Sequence, residues 1–109
     1  MDATPAPSSP LVSVDRVHAA RAVAAELGID VLVVTPGADL RYLCGYDAHA
    51  MERLTALVVP REGEPLLVVP RLEAPMVSAS PAGALGLEVL AWDETDDAFA
   101  VLADALTAR

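Results

Sequence analysis

Leu54-Thr55-Ala56-Leu57-Val58-Val59-Pro60-Arg61-Glu62-Gly63-Glu64-Pro65-Leu66-Leu67-Val68-Val69-Pro70 is the stretch that decides the fold. Two apolar runs, Leu54 to Pro60 and Pro65 to Pro70, each hold Leu-Val-Val-Pro. The connection Arg61-Glu62-Gly63-Glu64 is short and polar and carries the glycine that a tight turn favours. Together they predict a β-hairpin. Pro60 and Pro70 belong at strand ends, because proline has no N–H to give to a ladder. Nothing else recurs at the spacing of Leu-Val-Val-Pro, so the echo marks two similar strands and not a repeat.

On the N-terminal side, Ile29 to Thr35 is expected to be a strand. Its centre, Val31-Leu32-Val33-Val34, is continuously apolar and does not alternate. That pattern predicts burial on both faces, as in a central strand of a sheet covered by helices. Before it, Ser13 to Leu27 predicts an amphipathic helix, because Val17, Ala20, Ala24 and Leu27 step by three and four onto one face. Ser13 or Asp15 suits the N-cap. Gly28 stands where a helix ends in a left-handed residue, with Ile29 beyond it as the apolar contact. His18 lies off the apolar stripe with no acidic partner at helical spacing, as an exposed histidine would.

On the C-terminal side, Arg71 to Ala79 is a helical candidate with Pro75 in its first turn. Ser78 to Gly86 is expected to be loop. Leu87 to Trp92 alternates as a strand, with Leu87, Val89 and Ala91 set against Glu88, Leu90 and Trp92. The run Asp93-Glu94-Thr95-Asp96-Asp97 has two readings. A metal site is one. The other makes Thr95 the N-cap of a last helix and puts Asp96 and Asp97 in its first turn, where the helix dipole favours negative charge; this explains the run better. Phe99, Leu102, Ala103 and Leu106 then form the inner face. The order of elements predicts an α/β domain with helices on both sides of a mixed sheet, since a hairpin turns one strand against its neighbour.

Thr35 to Arg53 concentrates the unusual residues. It holds both tyrosines, the only cysteine, one of the two histidines and two of the seven arginines. It also follows the carboxyl end of a predicted strand, where ligands of open α/β sheets tend to bind. Pro36-Gly37 marks a turn. Asp39 to Leu43 suits a short helix ended by Gly45, and Tyr46 to Glu52 a polar loop. Tyr42 is expected as a core aromatic with its hydroxyl at the rim. Cys44 is expected as a small buried hydrophobe. A nucleophilic cysteine needs a base and a lowered pKa, and only His49 is near it in sequence.

Composition excludes several function classes. The chain has 109 residues, 54% of them hydrophobic, and a net charge of −9 with no lysine. A polyanion would be repelled, so nucleic acid is not an expected partner. One cysteine permits neither an internal disulfide nor a multi-thiolate metal site. No run approaches the roughly 18 apolar residues of a membrane helix. Met1 to Pro10 lacks the basic start and apolar centre of a signal peptide. Residues 1–12 are therefore expected as a flexible tail, residues 13–109 as the domain, the membrane as no partner, and the cytoplasm as the compartment.

Four segments together resemble the N-terminal domain of the creatinase/prolidase family. They are Asp30 to Pro36, Asp39-Leu40-Arg41-Tyr42-Leu43-Cys44-Gly45-Tyr46, Glu52-Arg53-Leu54, and Glu64 to Pro70. The most distinctive is Tyr-Leu-x-Gly-aromatic at Tyr42 to Tyr46. The chain departs from the family at Asp39, often asparagine, and at Cys44, often serine or threonine. The resemblance implies a ribonuclease-H-like, three-layer α/β/α fold with a mixed sheet of four to five strands. Four strands are visible in the sequence. It further implies a non-catalytic domain that helps form a homodimer and reaches toward the pocket of the neighbouring subunit. Catalysis would belong to a separate C-terminal domain whose dinuclear divalent metal centre activates water. None of the ligands for that centre is expected in this chain, which would have no peptidase activity alone.

The same resemblance implies that the loop after Gly45 presents side chains to substrate. By position these are Tyr46, His49 and Arg53. Arg53 has two readings side by side: a partner for a substrate carboxylate, which its planar fork suits, or a partner for Glu52 or another surface acid. For His49 an ordinary surface position is the plainer reading. An Xaa-Pro dipeptidase or aminopeptidase is the expected parent, with a creatinase-type amidinohydrolase or a free-standing α/β binding or regulatory domain as alternatives. A phosphorylated receiver domain is excluded, because its site needs a lysine.

Overall fold

The computed structural model describes residues 13–47 and 53–107. The predicted tail and His49 lie outside the described residues.

The hairpin forms as expected. β2 (Ala56–Pro60) and β3 (Leu66–Pro70) run antiparallel, with Leu57 opposite Leu67, and Gly63 takes the left-handed φ of 97° that the turn requires. Every residue of both strands is buried. Alternation along each strand sends side chains to two faces. Leu57, Val59, Leu67 and Val69 enter one core, and Ala56, Val58, Leu66 and Val68 enter a second.

Helices cover both. α1 (Val14–Glu26) and α2 (Ala38–Cys44) close the first core through Val17, Leu40, Leu43 and Cys44. A 3-10 turn at Arg71–Glu73 runs into α3 (Ala74–Ala79), which adds Val77 to the same core. The second core is covered by α4 (Ala98–Thr107) through Ala98, Val101, Leu102, Ala105 and Leu106, with Trp92 of β4 (Glu88–Trp92) beneath it. The result is the expected three-layer α/β/α arrangement.

The four-stranded sheet has the order β1-β2-β3-β4. β1 (Val31–Val34) is antiparallel to β2, and β4 is parallel to β3. So β1, β3 and β4 point one way and β2 the other. The placement of β1 corrects the sequence reading. A continuous apolar run predicted a central strand, yet among the described residues β1 is an edge and Val33 is 46% exposed. Leu32 and Val34 pack on the first core and Val31 on the second, but α4 does not cover Val33.

Local signals located α1 well. Ser13 is its N-cap and accepts from the Asp15 N–H at 3.1 Å. At the other end Ile29 N donates to Ala24 O and Gly28 N to Ala25 O, the paired bonds of a Schellman cap with Gly28 at φ 78°. α1 is tied to the hairpin turn from both sides. Arg21 donates to the Gly63 carbonyl, and Arg61 Nη2 donates to Ala25 O at 3.3 Å.

Three aromatic placements differ from expectation. α2 turns Leu40, Leu43 and Cys44 inward, a three-four spacing that leaves Tyr42 on the outside beneath the Arg16 guanidinium, 4.2 Å from its ring centroid. Gly45 then turns the chain at φ 78° and sends Tyr46 into the core instead. Phe99 is exposed, and α4 starts later than Thr95: Asp97 Oδ1 accepts from the N–H groups of Phe99 and Ala100, so Asp97 is the cap. Asp93 to Asp96 form a separate turn, with Asp96 N donating to Asp93 O at 2.8 Å. The inner stripe therefore falls on Ala98, Val101, Leu102, Ala105 and Leu106, and Ala103 joins Phe99 outside.

Leu57→Ala or Leu67→Ala should each lower the unfolding free energy by about 2–5 kcal/mol, as truncation in a closed core does. Phe99→Ala should stay within about 0.5 kcal/mol. Urea denaturation of the three variants checks both values.

Candidate functional site

Because β1, β3 and β4 are co-directional, their carboxyl ends gather at one end of the molecule, beside the amino end of β2. The residues following Val34, Pro70 and Trp92 therefore share this end with Arg53 and Leu54. Open α/β sheets bind ligands in this place.

Arg53 stands just before β2. Its Nη2 donates to Glu94 Oε2 at 2.7 Å and is ion-paired with Oε1 at 2.6 Å. Glu94 lies in the turn after β4. The indole Nε1 of Trp92 donates to Leu54 O at 2.9 Å, which pins the same segment by its backbone. Arg71, just past β3, donates from Nε to Asp93 Oδ1 at 2.5 Å, and the carboxylate holds the guanidinium above its ordinary pKa. These side chains enclose a cavity of about 180 Å³ lined by Arg53, Arg71, Asp93, Glu94, Trp92 and the apolar Pro70 and Leu72.

Tyr46 lies at the start of the loop. It is 4% exposed, and its hydroxyl donates to Glu73 Oε1 at 2.6 Å. Burial is the main cause, and the Glu73 carboxylate the second, that pushes the phenol well above its ordinary pKa. It remains a protonated donor through neutral pH. Asp47, next along, is 3.8 Å from Arg41 Nη1. Cys44 is fully buried, its Sγ donating to Leu40 O at 3.4 Å, and burial pushes its thiol up. Such a group is a poor nucleophile, in line with its reading as a buried hydrophobe.

Of the three residues expected to face substrate, the structure thus places Tyr46 inside as an anchor and Arg53 at the rim of a cavity. His49 and Glu52 lie outside the described residues. Glu73, Arg71, Asp93 and Glu94 were not foreseen as parts of this site. The signal for the last two was present, since Asp93 and Glu94 open the acidic run that was read wholly as helix capping. Among the described residues no group of three or more His, Cys, Asp or Glu side chains is placed to hold a metal ion. No helix among them is long and apolar enough to cross a membrane.

The model of the creatinase/prolidase N-terminal domain matches residues 16–109. The chain belongs to this family. It is 45% identical over 91 residues to the probable dipeptidase PepE of Mycobacterium bovis, a match covering 84% of this chain and 24% of that protein. The solved dipeptidase PepE from Mycobacterium ulcerans superimposes with a TM-score of 0.78 at 46% identity, over 85% of this chain and 25% of that one. The N-terminal domain of an Xaa-Pro dipeptidase from Lactobacillus brevis shares the fold, with a TM-score of 0.77 at 21% identity over 86% of this chain and 68% of that one. The chain thus spans about a quarter of the length of the curated relatives it matches.

The Tyr46–Glu73 pair gives a pH prediction. An acid whose pKa is raised by folding stabilises the folded state fully below its unfolded value, about 10 for tyrosine, and loses that contribution as pH climbs toward the raised value. Tyr46→Phe should cost about 1–2 kcal/mol at neutral pH, the loss of one partly buried hydrogen bond. The penalty should shrink above about pH 10. Urea unfolding of both proteins from pH 7 upward measures it.

Proposed function

We propose that the chain is the non-catalytic N-terminal domain of a metal-dependent Xaa-Pro peptidase of the prolidase type. Residues 13–109 form the domain and residues 1–12 a tail before it. The carrying observation is the 45% identity to a protein named as a probable dipeptidase, in a stretch that is 24% of that protein. The catalytic domain is then the C-terminal part of the same polypeptide, and the expected dinuclear metal belongs there. Among the described residues no group of side chains is placed to hold such a centre. The parent acts as a cytoplasmic homodimer, each N-terminal domain reaching toward the pocket of the neighbouring subunit.

Within that assembly, Arg53 is the residue of this chain that meets substrate. Only the Nη2 corner of Arg53 is engaged by Glu94. A guanidinium carries five donors in a fixed fork, so Nη1 and Nε are left to take a ligand carboxylate. Glu94 holds the fork in place meanwhile. Tyr46 contributes by anchoring the start of the loop through Glu73, and Trp92 by holding its end through Leu54.

In the full-length enzyme, Arg53→Ala should raise KM for an Xaa-Pro dipeptide about tenfold, the equivalent of about 1.4 kcal/mol, with little change in kcat. Steady-state kinetics on the purified dimer measure both. Unchanged kinetics would make Arg53 a purely structural partner of Glu94.

A further inference from the structure

A second guanidinium lines the cavity beside Arg53. It belongs to Arg71, the residue just past β3. Two of its five donors are spent on β4 and the turn beyond. Nε donates to Asp93 Oδ1 at 2.5 Å, and Nη2 donates to Ala91 O at 3.4 Å. Nε and Nη2 form one edge of the planar group, so that edge lies against β4. The far end of the fork, between Nη1 and Nη2, has no acceptor among the described residues. The side chain is 61% exposed, which leaves this end open to a ligand.

Both guanidiniums hang from one turn. Their acids, Asp93 and Glu94, are consecutive. The turn is closed by Asp96 N on Asp93 O and by Asp93 N on Asp96 Oδ2, each at 2.8 Å. Exposed ion pairs add little to stability. What these two do is hold two forks ready, which cuts the entropy each side chain loses when a ligand arrives. The two acids balance the two arginines, so the site has no excess charge with which to gather anions at large. Selection falls to shape. A carboxylate is planar and accepts two parallel N–H bonds from the end of a fork. Next to the forks, Pro70, Leu72 and Trp92 supply apolar lining. A volume of about 180 Å³ holds a small ring, since a void of roughly 150 Å³ takes up benzene. The matching ligand is a carboxylate joined to a small apolar group.

We propose that Arg71 is a second carboxylate-binding residue, which closes with Arg53 on the free C-terminal carboxylate of a peptide whose last residue is small and apolar. The proposal rests on the reading of this chain as part of an Xaa-Pro peptidase, and it adds the residue that selects a free carboxylate. An amidated peptide leaves both forks facing a neutral group, and a site built to bond a polar partner rejects the analogue that lacks it.

Steady-state kinetics of the full-length enzyme on an Xaa-Pro dipeptide and on its C-terminal amide test this. The wild type should favour the free acid by at least about tenfold in kcat/KM. Arg71→Gln should raise KM for the acid about tenfold and leave KM for the amide within about twofold, with kcat little changed. Arg71→Lys separates binding from structure, because lysine keeps a charge beside Asp93 but has no fork. It should show the same selective rise. Wild-type kinetics in either variant, an effect shared equally by acid and amide, or a wild type indifferent to the amide would each overturn the role of Arg71 and leave the proposed function standing. A full-length protein that cleaves neither peptide would overturn both.

Discussion

Burial of the β2–β3 hairpin on both faces is the constraint on which the rest of the structure depends. Leu57, Val59, Leu67 and Val69 on one side, and Ala56, Val58, Leu66 and Val68 on the other, are all essentially inaccessible to water. Each large apolar side chain moved out of water contributes about 1.5–3 kcal/mol before the entropy of ordering is subtracted. A hairpin of this composition needs two covers. The chain before it supplies one in α1 and α2, completed by α3, and the chain after it supplies the other in Trp92 and α4. Three layers follow, and the strand directions then place the ends of β1, β3 and β4 together.

That end of the molecule is where the electrostatics are arranged. The chain as a whole carries −9, yet Arg53 and Arg71 are each closed onto an acid from the turn after β4. Exposed pairs of this kind contribute about 0–1 kcal/mol to stability. Their effect is positional. They fix two guanidiniums in the lining of a small cavity, while Tyr46–Glu73 and Trp92–Leu54 hold the described segments on either side of residues 48–52. The stretch from Thr35 to Arg53 thereby divides. Leu40, Leu43, Cys44 and Tyr46 belong to the core, and Arg53 belongs to the surface, where it is paired with Glu94.

Where local chemistry decides, the sequence was legible. The Gly28 cap, the Gly63 turn, the prolines at the strand ends and the buried Cys44 all follow from one residue and its neighbours, and all are found. The fold class and the family were legible for the same reason, through short motifs in a fixed order. Choices made by distant parts of the chain were not. The apolar run of β1 reads the same for a central strand as for an edge strand. Tyr42 and Tyr46 exchange their expected places because α2 presents Leu40, Leu43 and Cys44 to the core. The acidic run read as capping better than as a metal site, and its ion pairs were hidden because the partners of Asp93 and Glu94, Arg71 and Arg53, lie 22 and 41 residues away.

The central claim is that the carboxyl end of this sheet, through Arg53, meets the carboxylate of a ligand bound in a larger enzyme. A crystal structure of the full-length protein with an Xaa-Pro dipeptide analogue bound tests it most directly. The account predicts Nη1 or Nε of Arg53 at about 2.7–3.2 Å from a carboxylate oxygen of the ligand, with Nη2 still held by Glu94. An Arg53 bonded to Glu94 alone, with the ligand carboxylate held by residues from elsewhere in the enzyme, would contradict it.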